Sequence, residues 1–251
     1  GIDNSKIILY NEIVIMQSLN CFSHHAPKLD WMEQYFTFKN EFKEKNTLGS
    51  QMFSFFKRFL KDADLLDDNG FTRFAEIISD IGLDENLSWA LMLANLAYNP
   101  QIGWYICNIS FGETMSKEYV CSMLVDSGAD EKWVNDVWSS LARILDLPFS
   151  HVGLGEMVKE KNKAVALYRT GWQVPDERVI LYSLYQFSEK CGNFKQFTLT
   201  RLLDTSIESD GISPTQIFGL NRDTMEKVLN GLTFNYPDLI EARFTLGLDN
   251  I

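Results

Sequence analysis

Three side chains near the start of the chain are of types that bind metal ions. Cys21, His24 and His25 lie within five positions of one another in the stretch CFSHHAP. A zinc site needs about four thiolate, imidazole or carboxylate ligands, and no second ligand pair follows at a spacing typical of such sites. Two interpretations stay open: a weak metal site, or a packed cysteine with exposed histidines beside the turn at Pro27.

Basic side chains form the second kind of candidate site, because clustered lysines and arginines contact phosphates. There are two clusters, Lys57, Arg58 and Lys61 in one and Lys159, Lys161, Lys163 and Arg169 in the other. The first lies opposite the apolar side of a predicted helix. The second lies in an irregular stretch where the segment AVALY predicts a strand. Each cluster is either an ordinary solvated surface or an anion-contacting one.

Signatures of catalysis are missing from the sequence. It contains no GxSxG, no HExxH, no GxxxxGK[ST] phosphate loop and no SGGxD loop of the ATP-pyrophosphatase type. Histidine, the commonest acid–base catalyst, occurs three times in the chain. We expect no catalytic residue and no cofactor in this chain. A third hypothesis is an enzyme whose active site consists of carboxylates that belong to no recognisable motif, together with Cys21, His24 and His25.

The composition is that of a folded, acidic chain. Of 251 residues, 45% are hydrophobic and 23% are charged, which is enough for a buried core and too apolar for disorder. The formal net charge of −11 disfavours nucleic-acid binding by the whole surface. Widely spaced cysteines predict free thiols in a reducing compartment. Without a signal peptide pattern or an apolar run of about 18 residues, the sequence predicts a cytoplasmic protein outside the membrane.

Hydrophobic periodicity predicts a mainly α fold, a helical bundle with winged-helix-like units and a few short β-strands. Apolar side chains recur at helical spacing after Asn46 and again after the turn at residues 67–70. The stretch NLSWALMLANLAYNP is apolar on every side, as in a central helix that ends at Pro100. The next stretch, QIGWYICNISF, alternates and predicts a short extended segment. Residues 5–20 predict a strand or a short buried helix.

Turn and proline signals divide the chain into four predicted parts. Residues 1–82 form an N-terminal helical, helix-turn-helix-like region, and residues 83–150 form a central helical domain. Residues 151–175 are a linker that carries the second basic cluster. Residues 176–251 form a C-terminal winged-helix-like domain.

The C-terminal part has the clearest local signals. Asp176 and Asn221 are predicted N-caps, and the helix after Asn221 is predicted to end at Gly231. Residues 239–251 alternate as a half-buried strand does, and the chain stops before a return strand. This order of helix, turn, helix and strand is that of a winged helix.

The second helix of such a unit carries the side chains that read DNA. Arg222 and Lys227 would then face the groove, together with Asp223, Thr224 and Glu226. The charges of these residues nearly cancel. The sequence therefore favours docking to a protein over reading of DNA.

Several stretches taken together resemble a known family. They are CFSHHAPKL, NTLGSQMFSFFKRFLKDADLLDD, WALMLANLAYNPQIGWY, LPFSHVGLG and DGISPTQIFGLNRDTMEKVLNGLTFNYPDLIEARFTLGLDNI. The pattern resembles the C-terminal region of long bacterial proteins of the phosphoadenosine phosphosulfate (PAPS) reductase family. It is also similar to a small family of unknown function encoded beside such reductases and with DNA-phosphorothioation genes. The resemblance covers most of the chain from about Cys21.

The resemblance implies a partner, or a fused tail, of a sulfur-handling ATP pyrophosphatase. The nucleotide loop and any iron–sulfur cysteines would belong to the catalytic part, so no catalytic residue is carried over to this chain. The first hypothesis is therefore a non-catalytic accessory module in sulfur metabolism or DNA sulfur modification, which docks the enzyme or its nucleic-acid substrate. The alternative is a stand-alone winged-helix regulator that binds DNA. The predicted contact residues are Lys57, Arg58, Lys61, Lys159, Lys161, Lys163, Arg169, Arg222 and Lys227.

Overall fold

The computed structural model describes residues 19–206, 209–245 and 248–250 and is mainly helical, with short antiparallel strands. The α-helices are α1 (Leu29–Phe38), α2 (Phe42–Lys45), α3 (Ser50–Asp62), α4 (Arg73–Ile81), α5 (Asn86–Leu96), α6 (Pro100–Asn108), α7 (Lys117–Asp126), α8 (Val134–Leu145), α9 (Glu177–Lys190), α10 (Leu199–Leu203), α11 (Pro214–Phe218) and α12 (Arg222–Asn235). The strands are β1 (Leu66–Asp67), β2 (Gly70–Phe71), β3 (Thr114–Ser116), β4 (Glu156–Glu160), β5 (Lys163–Tyr168), β6 (Arg243–Thr245) and β7 (Leu248–Asn250). The prediction for residues 5–20 lies almost entirely outside the described residues.

Helix α5 is the centre of the described structure, as its all-round apolar sequence predicts. Every residue from Trp89 to Leu96 except Leu91 is buried. The helix packs against α3, α4, α9, α11 and the 3-10 helix Pro148–Val152. Its start is fixed by side chains, since the indole of Trp89 donates to the carbonyl of Leu83 at 2.8 Å.

The prediction of an extended segment after Pro100 is wrong, because Pro100 begins helix α6. Asn99 caps this helix, and its side chain accepts from the backbone N–H groups of Gln101 and Ile102. Proline at the first helical position loses no hydrogen bond that the helix needs. Large apolar residues at alternate positions are typical of a strand, but they also occur in a helix that is buried on nearly every side. Helix α6 is such a helix, since residues Gln101–Ile106 are all buried.

The predicted linker at residues 151–175 contains a strand pair. Strands β4 and β5 form an antiparallel hairpin, and β3 pairs with the other edge of β5. Lys161 and Asn162 form the hairpin turn with φ angles of 47° and 65°. Two successive residues with positive φ are typical of the tight turns whose twist matches that of the strands. The prediction of a strand at AVALY is confirmed by β5.

Two N-caps predicted in the C-terminal part are confirmed. The side chain of Asp176 accepts from the N–H of Arg178 before α9, and that of Asn221 accepts from the N–H of Thr224 before α12. The helix after Asn221 does not end at Gly231. A Cβ at this position would lie 2.7 Å from a carboxylate oxygen of Glu177. Gly231 therefore provides close contact between α12 and α9 rather than a helix end.

The predicted single strand at residues 239–251 is a pair. Strands β6 and β7 run antiparallel, and Arg243 is opposite Asn250. A return strand is therefore present, although the sequence pattern predicts none.

Buried hydrophobic side chains from every predicted part of the chain belong to one cluster. Phe59 of α3, Leu93 of α5, Phe187 of α9 and Leu229 of α12 are all members. The division at residues 82, 150 and 175 stays a prediction of the sequence alone.

The junction between the sheet and the C-terminal part depends on glycines that let backbones approach. Gly153 has φ +91°, and a Cβ there would lie 2.4 Å from the backbone nitrogen of Trp172. Gly112 has a similar φ of +77° but open space around it. Both backbone conformations therefore favour glycine over an L residue, and the two positions differ in steric contact.

Replacing each glycine by alanine separates the two effects. We expect Gly112→Ala to lower the free energy of unfolding by about 1–2 kcal/mol, because L residues are strained at positive φ. We expect Gly153→Ala to lower it by more than about 4 kcal/mol, because the methyl group also overlaps backbone. Urea denaturation followed by circular dichroism measures both values. Equal losses in the two variants would contradict the steric argument.

Candidate functional site

The three candidate metal ligands lie in a turn before α1. Cys21 is buried, and its backbone N–H donates to the side-chain oxygen of Gln101 at 3.0 Å. The rings of His24 and His25 lie side by side with centroids 4.1 Å apart. Across the described ranges, no three side chains of metal-binding type converge on one point. Cys21 is thus packed, as one of the two interpretations has it, while His24 is exposed and His25 is half-buried.

The thiol of Cys21 is not poised for nucleophilic chemistry. Burial raises its pKa, although the positive charge of Arg58 and a hydrogen bond with Asn99 act in the opposite direction. A thiol whose pKa is raised stays protonated at neutral pH and reacts slowly. Burial also lowers the pKa of His25, so its imidazole holds a proton less firmly than a free histidine.

The first basic cluster lies along α3 and is largely neutralised by carboxylates. Arg58 donates to Asp62 at 2.9 Å, and the ammonium group of Lys61 lies 3.5 Å from Asp68. Lys57 is exposed on the same helix. A phosphate that approached this face would have to compete with these carboxylates.

The second cluster is split by the fold. Lys161 and Lys163 lie exposed at the tip of the β4–β5 hairpin, and Lys159 pairs with Asp146 at 2.7 Å. Arg169 lies just beyond the end of β5 and is completely buried. The prediction that Arg169 contacts an anion together with these lysines is therefore wrong.

The guanidinium of Arg169 connects three parts of the chain through backbone carbonyl groups. Its Nη1 donates to the carbonyls of Ile106 and Ile109 at 2.6 and 3.1 Å. Its Nη2 donates to the carbonyls of Gln216 and Ile217 at 2.6 and 3.1 Å. These carbonyls lie at the C-terminal ends of α6 and α11, where helices leave acceptors unsatisfied and carry partial negative charge.

Aromatic rings complete the surroundings of this buried cation. The guanidinium carbon of Arg169 lies 3.9 Å from the ring centroid of Phe111 and 5.6 Å from that of Tyr105. Burial lowers the pKa of Arg169 to about 10, and the guanidinium still carries its charge at neutral pH. Helix carbonyls and rings thus take the role that a carboxylate would have in a buried ion pair.

The two predicted contact residues of the C-terminal part lie in the first turns of α12. Arg222 pairs with Glu226 one turn later, at 3.1 Å. Lys227 lines a surface cleft of about 670 Å³ together with Asp223 and Thr224. The opposite wall comes from the start of α9 and the loop before it.

This cleft, which we name the α9–α12 cleft, combines apolar and charged walls. Its lining residues are Gln173, Val174, Pro175, Asp176, Glu177, Arg178, Asp223, Thr224, Lys227, Val228 and Tyr236. Arg178 pairs with Asp176 at 2.6 Å, and its hydrogen bonds to the carboxyl group lower the pKa of Asp176. The amide of Asn235 holds Glu177 at 2.7 Å. Paired charges of both signs and apolar side chains thus line the same cleft.

The apolar members of the cleft are not among the contact residues that the sequence predicts. Val174 belongs to the predicted linker, and Tyr236 follows the position where α12 was predicted to end. The order Val-Pro-Asp before a helix could have indicated Val174, because a residue that precedes proline and an N-cap lies outside the helix and is often exposed. No local signal indicates Tyr236, whose position depends on how α12 packs against α9.

Comparison of the chain with protein-family models, with curated proteins and with solved structures finds no match in any of the three. Within the parts of the chain that the structure describes, no helix combines the length and the apolar composition needed to cross a bilayer.

Replacement of Arg169 tests whether its buried cation is structural. We expect Arg169→Met to lower the free energy of unfolding by about 3 kcal/mol or more, because four backbone carbonyls, most of them buried, lose a charged donor. Lys163→Met is the matched control, since Lys163 lies on the neighbouring strand β5 and is exposed. Thermal and urea denaturation give the two values. An Arg169→Met variant as stable as Lys163→Met would contradict the structural role.

Proposed function

We propose that this chain is a non-catalytic docking module that binds a PAPS-reductase-like ATP pyrophosphatase, in cis or in trans, through the α9–α12 cleft. The observation that carries the proposal is the cleft itself. A surface cleft lined by apolar side chains together with paired charges has the features of a protein-binding surface.

The strongest element of this surface is an exposed apolar side chain. Val174 is 84% exposed at the cleft. Pro175 follows it, and the cap hydrogen bonds of Asp176 fix the chain direction immediately afterwards. A partner that covers Val174 removes apolar surface from water at little cost in conformational entropy, because the loop is already positioned.

Paired charges favour a protein partner over a polyanion. Of the predicted contact residues, Arg58, Lys61, Lys159 and Arg222 each lie within 4 Å of a carboxylate. Neutralised side chains release few counterions when a nucleic acid binds, so they contribute little to such binding. Fixed pairs of opposite charge instead provide orientation at a protein interface.

The order of elements supports a winged-helix-like assignment of the docking unit. Helices α10, α11 and α12 are followed by the β6–β7 hairpin. In DNA-reading members the second helix of the helix-turn-helix pair is the recognition helix, and α12 has that place after α11. In our proposal the start of α12 contacts the partner enzyme. The identity of that enzyme follows from the sequence resemblance, which is strongest over residues 210–251.

Substitution in the cleft tests the docking proposal. We expect Val174→Asp to weaken binding to a purified PAPS-reductase-like ATP pyrophosphatase of the same genome by roughly tenfold or more, because a charge would be buried at the contact. Val158→Asp, an identical change at a half-exposed valine of β4, is the control. Biolayer interferometry measures both affinities.

Two results would count against the docking proposal. The first is a lack of measurable binding by the unaltered chain. The second is an equal loss of affinity in Val174→Asp and Val158→Asp while both variants keep their thermal midpoint.

The alternative function, DNA binding, has one structural observation in its favour. Lys161 and Lys163 lie exposed at a hairpin tip, and no carboxylate among the described residues lies within 4 Å of either ammonium group. If this hairpin binds duplex DNA, the double variant Lys161→Gln and Lys163→Gln should reduce the slope of log K against log salt by about 1.8. We expect instead that fluorescence anisotropy detects no duplex binding at physiological salt. Salt-sensitive binding that the double variant weakens would favour the regulator.

A further inference from the structure

A second cleft lies at the opposite end of α9 and has a different chemical character. It has a volume of about 490 Å³ and lies between the end of α9, the loop that follows and α10. Lys190, Phe194, Gln196, Phe197, Arg201 and Asp210 are among its lining residues. We refer to it as the α9–α10 cleft. None of these six residues is among the contact residues that the sequence predicts.

The two cations of this cleft are held by aromatic rings. The ammonium group of Lys190 lies 5.0 Å from the ring centroid of Tyr98, and the guanidinium carbon of Arg201 lies 5.4 Å from that of Phe187. Among the residues that the structure describes, no carboxylate oxygen lies within 4 Å of either charged group. These cations therefore differ from Arg58, which already has a carboxylate partner.

An exposed aromatic ring lies beside the two cations. Phe194 is 63% exposed, and it follows a hydrogen-bonded turn. The N–H of Asn193 donates to the carbonyl of Ser188 at 2.8 Å, and the hydroxyl of Ser188 donates to the carbonyl of Phe194. Gly192 and Asn193 adopt positive φ angles of 95° and 64° in this turn. These hydrogen bonds hold the backbone segment that carries the exposed ring.

The remaining polar groups supply hydrogen bonds at the edge of the cleft. Gln196 carries an amide, and Asp210 carries a carboxylate that accepts hydrogen bonds. Among the described lining residues, Lys190 and Arg201 carry positive charge and Asp210 carries one carboxylate; the carboxylate of Asp204, outside the lining, also acts on Arg201. The ligand that fits has an anionic group, a planar ring and amino hydrogens on that ring.

We propose that the α9–α10 cleft binds a nucleotide unit, either free or within a single strand. The base stacks on Phe194, Lys190 and Arg201 contact the phosphate, and Asp210 accepts from an exocyclic amino group such as that of adenine. Stacking on an aromatic ring combined with cationic contact to phosphate is how proteins bind single-stranded nucleic acids. The cleft volume lies within the range of small-ligand sites.

This proposal is independent of the docking proposal, because the two concern different clefts and different assays. Val174→Asp should leave nucleotide binding unchanged. Phe194→Ala should leave binding of the partner enzyme unchanged. Failure of one proposal therefore does not decide the other.

Fluorescence anisotropy with a labelled oligodeoxyadenylate of about eight nucleotides tests the site. We expect Phe194→Ala to weaken binding by roughly tenfold, because one stacked base is lost. Phe234→Ala is the matched control, since Phe234 is an exposed phenylalanine of α12. We expect Lys190→Gln to reduce the salt slope by about 0.7, as for one lost phosphate contact on a single strand. Lys43→Gln, an exposed lysine of α2, is its control.

Competition with unlabelled dAMP and with inorganic phosphate identifies the ligand. Displacement of the strand by dAMP supports a free mononucleotide, and displacement by unlabelled strand alone supports a single-stranded nucleic acid. The proposal is overturned if the unaltered chain binds neither strand nor dAMP. It is also overturned if phosphate competes as well as dAMP and Phe194→Ala binds like Phe234→Ala.

A chemical readout provides an independent check, because Cys191 also lines the α9–α10 cleft. Its thiol is partly accessible, and Cys107 is an exposed cysteine outside this lining. We expect saturating dAMP or oligodeoxyadenylate to slow alkylation of Cys191 by iodoacetamide severalfold relative to alkylation of Cys107. Equal rates with and without both ligands, measured by mass spectrometry of the peptides, would overturn the assignment of the site.

Discussion

One buried cation connects the parts of this fold. Within the described residues no carboxylate pairs with Arg169, and its charge is balanced by carbonyl groups at the ends of two helices and by two aromatic rings. An isolated buried charge is costly unless its hydrogen bonds are satisfied. The helix ends in turn need donors for their last carbonyls. The guanidinium thus gives donors to the helix-end carbonyls, and the carbonyls give acceptors to the guanidinium. These hydrogen bonds hold the sheet, α6 and α11 in one arrangement.

Local signals in the sequence were good predictors where the structure depends on neighbours in the chain. The caps at Asp176 and Asn221, the turn before α4 and the strand at β5 each need only a few adjacent residues. The central helix α5 was equally predictable, because a helix that is apolar on every side has few environments available.

The predictions that are wrong depend on residues distant in sequence. Gly231 looked like a helix end, but it faces Glu177, more than fifty positions earlier. Arg169 looked like part of a basic surface cluster, but the carbonyls that accept its hydrogen bonds lie about sixty residues before it and about fifty after it. The two clefts escaped prediction for the same reason, since each is formed where separate helices meet.

The connection through Arg169 has a consequence for how the chain acquires its structure. The guanidinium and its acceptors are separated by 63 residues on one side and 47 on the other. Contacts between such distant segments form late and raise the contact order on which folding rates depend. A polypeptide cut at residue 176 would leave the end of α11 without its donor and would expose the rings around the cation. The C-terminal helices are therefore not an independent unit, and during synthesis the guanidinium of Arg169 lacks two of its acceptors until α11 has emerged from the ribosome.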